Sequence, residues 1–438
     1  MENLIIYLAV YILFILTVSL WFNKNNSEED FLIAGRDRNS WQIMFSKYAG
    51  SVGASWFITY TGFAYIYGLS TFAAMIGYVA GYSLLALWFI PKIYDNAKKD
   101  KYITMGDYVY SIFKSKQIKK VIDILSVFIQ YFWLLISIVG GANILSYLGL
   151  LSYEYGVLII GLVVLIYILL AGFKAVIFTD FVQSIVIITL LFFIVGFLLR
   201  EVSVPVVLSE KTGSIGAGTA IGFFLYGTLS HFAFSDRYQL IYASKTKKDA
   251  QRGLFFSMVP IFITGFLLIL VGLFIHSQDS SLNTSVVFIE AMKNYLPSVF
   301  LPVGVVLFLA GIMSSSDSYI YAISSHISLL FGEKKSISRI RYITFGLIFI
   351  TMLLALFYRD VVDLSVFAAS FSLFLPVAMM YIISGGRSKI KFFSSIIIGF
   401  IGLIVGIVLL GVKPEVLLVT LIFSAIGLLT PDKLFNKK

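Results

Sequence analysis

The sequence predicts an all-α polytopic membrane protein. Of its 438 residues, 59% are hydrophobic and only 13% are charged, and the mean hydropathy is +0.94. A soluble protein carries roughly 25% charged residues. The apolar residues come in repeated runs of the length that a helix needs to cross a bilayer, about 20 residues. These runs are apolar all round and lack the alternation of a barrel strand, so helices are the expected form.

We predict thirteen membrane spans. They cover residues 3–22, 43–67, 71–93, 120–147, 153–171, 175–199, 215–239, 253–276, 297–330, 338–357, 362–383, 392–411 and 415–430. The first run is long, follows no basic segment and precedes no small-residue cleavage site, so we interpret it as a helix rather than a signal peptide. The loops are too short for a soluble domain, and residues 1–438 are therefore predicted to form a single membrane domain.

The basic residues lie in alternate loops and tails. The net charge is +10, and most Lys and Arg residues fall near 24–38, 92–120, 174, 245–252, 334–341, 387–391 and 433–438. The opposite loops carry only Arg200, Lys211, Lys293, Arg359 and Lys413. Because basic loops stay in the cytoplasm, we predict a multi-pass protein of the plasma membrane with its N-terminus outside and its C-terminus inside. The basic excess therefore requires no nucleic-acid partner.

Two predicted spans contain small and hydroxyl residues at a density that an ordinary lipid-facing helix avoids. The second span contains KYAGSVGASWFITYTGFAYIYG and the seventh contains LYGTLSHFAFSDRYQ. Glycine costs about 1 kcal/mol in a helix relative to alanine, and short hydroxyl side chains compete for backbone hydrogen bonds. One interpretation is close helix packing through small residues, and the other is an interrupted helix.

The positions of the two clusters favour interrupted helices. If residues 43–199 form one set of five helices and residues 215–383 a second set, each cluster lies in the first helix of its set. An odd number of helices inverts the second set relative to the first. Paired interrupted helices indicate a transporter with its binding site near the bilayer midplane, where unwound carbonyls can coordinate a cation. One extra helix (3–22) precedes these sets, and two more (392–430) follow them.

Five stretches, in order along the chain, resemble those of one transporter family. They are EEDFLIAGRDRNSW (28–41), GFAYIYG (62–68), AGFKAVIFTDFVQSIVI (171–187), YASKTKKDAQRG (242–253) and AGIMSSSDS (310–318). On these motifs the chain resembles the sodium:solute symporter family over nearly its whole length. The resemblance implies a LeuT-type fold, which is an inverted repeat of five plus five helices. One departure is Gln239-Leu240, where the family often has Gln-Arg; a different arginine, Arg237, lies nearby.

The resemblance implies a sodium site between the first interrupted helix and the eighth core helix. By family position, its ligands are the carbonyls of Ala49, Val52 and Gly311 and the hydroxyls of Ser314 and Ser315. Neutral oxygen atoms of this kind suit a hard cation. The alternative is that both serines bond to carbonyls one turn back in their own helix, as membrane serines usually do.

Asp180 and Asp317 are carboxylates inside predicted spans, where an ionisable group costs at least about 2.5 kcal/mol. In family members that use two sodium ions, the matching positions are those of Asp180, Ser314, Asp317 and Ser318. A second cation site is one interpretation. Asp180 could instead sit in water or form an ion pair near Lys174. If the two carboxylates share a proton, the same residues would form a proton-coupled site.

The solute is expected to bind between the two interrupted helices. The candidate residues there are Ser55, Trp56, Tyr60, His231 and Phe234, whose rings could stack on a ring or an aliphatic body. Aromatic residues make up 16% of the chain, so packing is the alternative role. The middle of the span 120–147 holds no arginine, which argues against a strongly acidic solute. An amino acid or a monocarboxylate is preferred, since its carboxylate could meet a half-helix N-terminus.

Together these features predict a Na⁺-coupled secondary symporter that imports a small organic solute by alternating access. A proton-coupled symporter of the same fold is one alternative. Another is a sensor that binds solute without net transport, although no signalling domain follows Lys438. The sequence has no cysteine, nucleotide-binding loop, metal motif or nucleophile elbow, so an enzyme is not expected. The expected ligands are the solute, Na⁺ as coupling ion and membrane lipid, without another cofactor, nucleic acid or an obligatory protein partner.

Overall fold

The computed structural model describes residues 2–22, 33–170, 173–200, 202–210, 212, 216–330 and 337–432. Within these ranges the chain is helical, and the only β-structure is an isolated bridge between Arg38 and Ser244. Some residues of the sequence predictions lie outside the described ranges: 28–32 and 171–172 of the family-like stretches, and the loop and tail residues Lys24, Lys211, Lys334, Lys335 and 433–438.

The described residues form twenty α-helices. In chain order they are α1 (Glu2–Phe22), α2 (Ser40–Ser51), α3 (Ala54–Tyr67), α4 (Phe72–Leu84), α5 (Ile90–Lys99), α6 (Met105–Phe113), α7 (Lys116–Tyr147), α8 (Tyr153–Leu170), α9 (Phe173–Leu198), α10 (Val204–Leu208), α11 (Ala217–Leu229), α12 (Ser235–Ala243), α13 (Lys247–Gln278), α14 (Val287–Tyr295), α15 (Leu301–Leu330), α16 (Ile337–Ala355), α17 (Val361–Ser372), α18 (Pro376–Ile383), α19 (Lys389–Leu410) and α20 (Glu415–Gly427).

A helix or a helix pair lies at each predicted span, so the prediction of an all-α polytopic protein is confirmed. Seven stretches of the described chain are long and apolar enough to cross a membrane: Ser55–Lys99, Lys116–Tyr147, Val176–Leu198, Lys247–Gln278, Ser298–Leu330, Val361–Ile383 and Lys389–Leu410. Three further apolar helices, at Tyr153–Leu169, Arg341–Ala355 and Glu415–Gly427, are shorter. The number of thirteen crossings and the limits of the two five-helix sets therefore stay predictions.

The first predicted interruption separates α2 from α3. Val52 leaves the helical region with a ψ of 75°, and Gly53 is extended with φ −99° and ψ −175°. α2 itself begins at a capping box, in which Asn39 and Gln42 each accept a hydrogen bond from the other's backbone N–H. The helix is thus well defined at its start and ends where glycine and serine cluster.

The second predicted interruption separates α11 from α12. A 3-10 turn, Ser230–Phe232, follows α11, and Phe234 is extended with φ −89° and ψ 117°. A third interruption, at residues 373–375 between α17 and α18, lies inside the span that we predicted as continuous. Pro376 explains it, because proline has no N–H to donate to the carbonyl one turn back and its ring crowds that carbonyl.

α15 lies inside the helix bundle and carries the block Ser314–Ser318, which is buried. It packs against α7, α9 and α2, while α13 packs against both α2 and α3. The extra helix α1 contacts α15, α9 and α8. The hydroxyl-rich part of α15 therefore faces protein on several sides, next to the first interruption.

Candidate cation and solute sites

Ser314 and Ser315 lie where α15 passes the break between α2 and α3. Ser314 Oγ donates to the carbonyl oxygen of Ala49 at 3.0 Å and lies 3.2 Å from that of Gly311. Ser315 Oγ donates to the Gly311 carbonyl at 2.7 Å. The bond from Ser315 is the helix-internal one of the alternative interpretation, but the bond from Ser314 to Ala49 crosses between helices. Four of the five predicted ligand residues thus lie together.

Gly53 allows α15 to come close to the break. A Cβ atom added to Gly53 would lie 2.2 Å from Ser315 Oγ and 3.1 Å from the Gly311 carbonyl oxygen. Contacts below 3.0 Å are not found for real Cβ atoms, so any larger residue would push the two helices apart. The unwound backbone and the serine hydroxyls meet because position 53 has no side chain.

Val52 occupies the break itself and is buried. Its N–H bonds to the Tyr48 carbonyl at 2.9 Å, and its own carbonyl remains a predicted ligand. Ser137, on α7, is a neighbour that the sequence analysis missed, and its Oγ lies 3.5 Å from Ser315 Oγ. A single serine within an apolar run gives no local signal of such a contact.

The residues at the break have the chemistry that a monovalent hard cation requires. Carbonyl and hydroxyl oxygens suit hard cations, and a serine hydroxyl that donates to a carbonyl keeps two lone pairs for an ion. An ion among these oxygens would join the end of α2 to the middle of α15. Its binding would therefore link two helices that the chain separates by more than 200 residues.

Asp180 of α9 and Asp317 of α15 are both fully buried. Ser46 Oγ donates to Asp180 Oδ2 at 2.6 Å. Asp180 Oδ1 and both oxygens of Asp317 have no hydrogen-bond partner of normal geometry among the described residues. The hydroxyl of Tyr167, bonded to Thr179 at 2.7 Å, faces Asp317.

The burial of Asp180 shows that its expected alternative position in water is wrong. A buried carboxylate without a partner costs several kcal/mol, so these oxygens need a cation or a proton. Ser318 faces a different neighbour, since a Cβ added to Gly50 would lie 2.3 Å from Ser318 Oγ. The four residues of the predicted second site therefore lie around the meeting point of α2, α9 and α15.

Three of the five predicted solute residues, Ser55, Trp56 and Tyr60, line one small cavity. Its other polar and aromatic lining residues include Thr59, Tyr78, Trp133, Tyr226 and Ser365. The cavity measures about 30 Å³, which holds one or two water molecules. Ser55 Oγ and Trp133 Nε1 have no hydrogen-bond partner in the part of the chain that the structure describes, so both groups are free to bond a solute.

His231 and Phe234 lie beside this cavity rather than in its lining, and their role in solute binding stays a prediction. The His231 ring is fully buried, with its centroid 4.1 Å from that of Tyr82. The Arg237 guanidinium lies over the ring of Phe234, and its central carbon is 4.2 Å from the centroid of that ring. His231 lies within the 3-10 turn that follows α11, and Phe234 lies in the extended link before α12.

A network of buried charged groups connects α2 to α12. Lys47 Nζ lies 2.7 Å from Asp236 Oδ2, and the Arg237 guanidinium lies 2.6 Å from Asp236 Oδ1. Gln130 Nε2 donates to Asp236 Oδ1 at 3.2 Å. Arg237, the arginine near the departure from the family pattern, is thus part of an ion pair. The sequence analysis missed this network because its members come from three separate helices.

Backbone contacts close the same end of the bundle. The Arg38 N–H donates to the Ala243 carbonyl at 3.0 Å, and the Lys245 N–H donates to the Arg38 carbonyl at 2.8 Å. Gln239 Nε2 donates to Ser325 Oγ at 2.9 Å. This end, which carries basic loop residues and which we call the basic end, is the one that the charge pattern predicts to be cytoplasmic.

Comparisons with known proteins agree with this architecture. The model of the family described as "Sodium:solute symporter family" matches residues 31–332. No match is found among curated proteins. The matched region includes the first interruption, Asp180 and the serine block of α15.

Three solved structures resemble the chain over almost its full length. A Na⁺-coupled sialic acid symporter in a substrate-bound outward-open state has a TM-score of 0.79 at 14% identity, with 99% of this chain and 98% of that chain covered. MHP1, a nucleobase-cation-symport-1 family transporter, has a TM-score of 0.64 at 14% identity, covering 93% and 94%. A mutant of the Eremococcus coleocola manganese transporter has a TM-score of 0.51 at 13% identity, covering 92% and 97%. At these identities the likeness concerns the fold, which confirms the LeuT-type prediction.

Proposed function

The chain belongs to the sodium:solute symporter family, and we propose on that basis that it imports a small organic solute together with Na⁺ by alternating access. The observation that carries this proposal is the meeting of the Ala49 and Gly311 carbonyls with the Ser314 and Ser315 hydroxyls at a helix break. With the Val52 carbonyl, these oxygens form the proposed first sodium site. The burial of Ala49, Val52 and the two serines supports this assignment, because a buried cation depends on protein oxygens in place of bulk water.

Sodium at this site would couple ion binding to helix position. The ion draws the break between α2 and α3 onto α15, and the solute cavity lies directly beyond the break, at Ser55 and Trp56 of α3. A tenfold inward Na⁺ gradient contributes about 1.4 kcal/mol, and a potential of about 100 mV adds about 2.3 kcal/mol per charge. One ion per cycle is therefore enough to concentrate a neutral solute several-hundredfold.

Asp180 and Asp317, with Ser314 and Ser318, form the proposed second site. Three carboxylate oxygens, Asp180 Oδ1 and both of Asp317, make no hydrogen bond of normal geometry within the described residues, and this supports a second positive charge there. Na⁺ can supply it, and a proton shared between two neighbouring carboxylates can supply it too. Proton coupling is therefore the second candidate function, and it rests on these oxygens alone.

The solute is proposed to be a small amino acid or a monocarboxylate. The Ser55 hydroxyl and the Trp133 indole N–H are unpartnered donors next to the cavity. α12 begins at Ser235, close to the second interruption, and the N-terminus of a helix attracts negative groups. The aromatic rings of Trp56 and Tyr60, with centroids 4.4 Å apart, provide an apolar wall for the body of the solute.

Reconstitution into proteoliposomes tests the proposal. Candidate solutes are first screened by their effect on the thermal midpoint with and without Na⁺, because a ligand that binds the folded state raises apparent stability. Uptake of the solute that binds should then require an inward Na⁺ gradient. Uptake driven by a pH gradient without Na⁺ would favour proton coupling, and tight binding without uptake would favour a sensor.

The double variant Ser314→Ala, Ser315→Ala tests the first sodium site. Each hydroxyl that contacts an ion contributes about 1.5–3 kcal/mol, so the Na⁺ concentration for half-maximal uptake should rise at least about tenfold. Ser328→Ala is a matched control, because Ser328 is a buried serine of the same helix that bonds to the Ser325 carbonyl. Equal Na⁺ dependence of the double variant and the control would reject the site.

A further inference from the structure

Two consecutive residues of α2 contact carboxylates on two different helices. Ser46 Oγ donates to Asp180 Oδ2 on α9 at 2.6 Å, and Lys47 Nζ pairs with Asp236 Oδ2 on α12 at 2.7 Å. Successive side chains of a helix point about 100° apart, so one turn of α2 reaches both carboxylates. α2 thus stands between the proposed second cation site and the other interrupted helix.

The pair of Lys47 and Asp236 is unusually well buried for an ion pair. The exposed fractions of the two side chains are 1% and 6%. Removing two charges from water costs several kcal/mol for each ion, so a buried pair is a poor device for stability alone. The pair instead joins the two half-helices, α2 and α12, that lie on the basic end of the two breaks.

Because Ser46 contacts Asp180 and Lys47 is the next residue of α2, the ammonium group and this carboxylate lie on adjoining faces of one helix turn, and opposite charges attract. Asp180 Oδ1 has no hydrogen-bond partner within the described residues, whereas Asp236 is held by Lys47, Arg237 and Gln130. The Lys47 ammonium group is therefore attracted by two carboxylates. It is bonded to Asp236 on α12, whereas Asp180 on α9 is part of the proposed cation site.

We propose that Lys47 is a positioning residue that couples cation occupancy at Asp180 to closure of the basic end. The inference rests on the proposed function, since it takes Asp180 as part of a cation site. A cation bound at Asp180 cancels the attraction of that carboxylate for Lys47 and repels the ammonium group. Lys47 is then held by Asp236 alone, and α2 stays locked to α12. When the cation leaves, Asp180 draws Lys47 away from Asp236, and the lock weakens.

The coupling can be measured with a single thiol placed where the segment after α12 meets the segment before α2. The chain has no cysteine, so Ser244→Cys introduces a single thiol at a buried position opposite Arg38. Its rate of modification by a charged maleimide is measured on the whole protein in detergent, with and without Na⁺. A coupling of the usual size predicts that Na⁺ slows modification about fivefold or more.

Lys47→Met in the S244C background should abolish this protection, while Na⁺ still raises the thermal midpoint. Asp236→Asn should behave in the same way, and Lys47→Arg should restore protection because it keeps the charge. The matched control is Lys119→Met, which removes a lysine that pairs with two carboxylates, Asp107 and Asp123, outside the interrupted helices.

The outcomes separate the inference from the function on which it rests. Protection that survives in the K47M variant overturns the inference and leaves Na⁺ binding intact. Loss of protection in K119M as well as in K47M also overturns it, because the effect is then a general loss of charge. A parent protein whose thermal midpoint does not respond to Na⁺ contradicts the proposed function itself.

Discussion

Serine at positions 314 and 315 would suit both the empty and the occupied state of the proposed sodium site. Without an ion, each hydroxyl donates to a backbone carbonyl, at Ala49 or at Gly311, so no buried donor is left unsatisfied. With an ion, the hydroxyl oxygens offer their lone pairs. Alanine would lose both roles, and a carboxylate would add a charge that an empty site could not tolerate.

Gly53→Ala should weaken Na⁺ binding and lower stability. The new Cβ would lie 2.2 Å from Ser315 Oγ, and overpacking of this kind costs about 1–3 kcal/mol. Because the α2–α3 break and α15 must then separate, the Na⁺ concentration that stabilises the protein half-maximally should rise at least about tenfold. A Na⁺ titration of the thermal midpoint measures both effects.

Gly196→Ala is the control for that substitution. Gly196 lies in α9, and a Cβ added there meets nothing within 4 Å. Since alanine favours a helix by up to about 1 kcal/mol over glycine, this variant should keep its Na⁺ response and its stability. A Gly53 variant with the same Na⁺ response as the Gly196 variant would show that the close approach of α15 does not matter.

At the residue scale, the sequence predicted which residues lie together where those residues are neighbours in a motif, while the sodium site that they would form stays a prediction. Ser314 and Ser315 are adjacent, and Ala49 lies beside glycines that mark a break. Prediction failed for Lys47 and Asp236, which are 189 positions apart, because no local pattern shows which way two helices are turned. The solute role predicted for His231, which packs against Tyr82 beside the cavity, stays a prediction.

At the scale of elements, α15 is held against α7 by a buried charged contact. His326 Nδ1 lies 2.7 Å from Asp123 Oδ1, and Lys119 Nζ lies 3.0 Å from Asp123 Oδ2. A Cβ added to Gly106 would lie 2.2 Å from Asp123 Oδ1, so α6 closes over the same carboxylate. This contact fixes the basic end of the helix that carries the serine block.

Asp123→Asn should therefore destabilise the protein strongly. Removing one partner of a buried ion pair costs about 3–5 kcal/mol, whereas exposed pairs contribute about 0–1 kcal/mol. Glu154→Gln is the comparison, because Glu154 pairs with Arg359 at 2.6 Å with more than half of each side chain exposed. The thermal midpoint should fall by several degrees in the first variant and hardly change in the second. Equal shifts would mean that the Asp123 cluster does not anchor α15.

The prediction of helix breaks was most reliable where several neighbouring residues all weaken a helix. The breaks at Gly53 and after Leu229 were predicted because glycine and hydroxyl residues weaken a helix over several positions. The break before Pro376 was not predicted, because a single proline follows an otherwise continuous apolar run. The third interruption shows that a run long enough to cross a membrane does not guarantee an unbroken helix.

At the scale of the whole molecule, the basic residues divide the surface into two ends. Lys98 Nζ and the Lys245 N–H both bond to backbone carbonyls at the basic end, while Arg359 lies at the opposite end beside Glu154. Since the positive-inside rule depends on this asymmetry, it predicts the orientation of every helix in the described chain.

Orientation can be measured with single thiols in this cysteine-free chain. Asn96→Cys places an exposed thiol at the basic end, and Ser280→Cys places one in the loop after α13. A membrane-impermeant maleimide should modify the S280C variant in intact cells, and the N96C variant only after the membrane is opened. The reverse pattern would place the N-terminus inside.

The smallness of the solute cavity has a consequence for inhibition. The described side chains around it are almost entirely buried, with exposed fractions of 6% for Trp56 and Tyr60 and 7% for Tyr226. If the proposed solute binds here, the helices must move apart to admit it and then close on it. Analogues with a bulky extension should dock in the open vestibule, prevent closure and act as blockers that are not themselves carried.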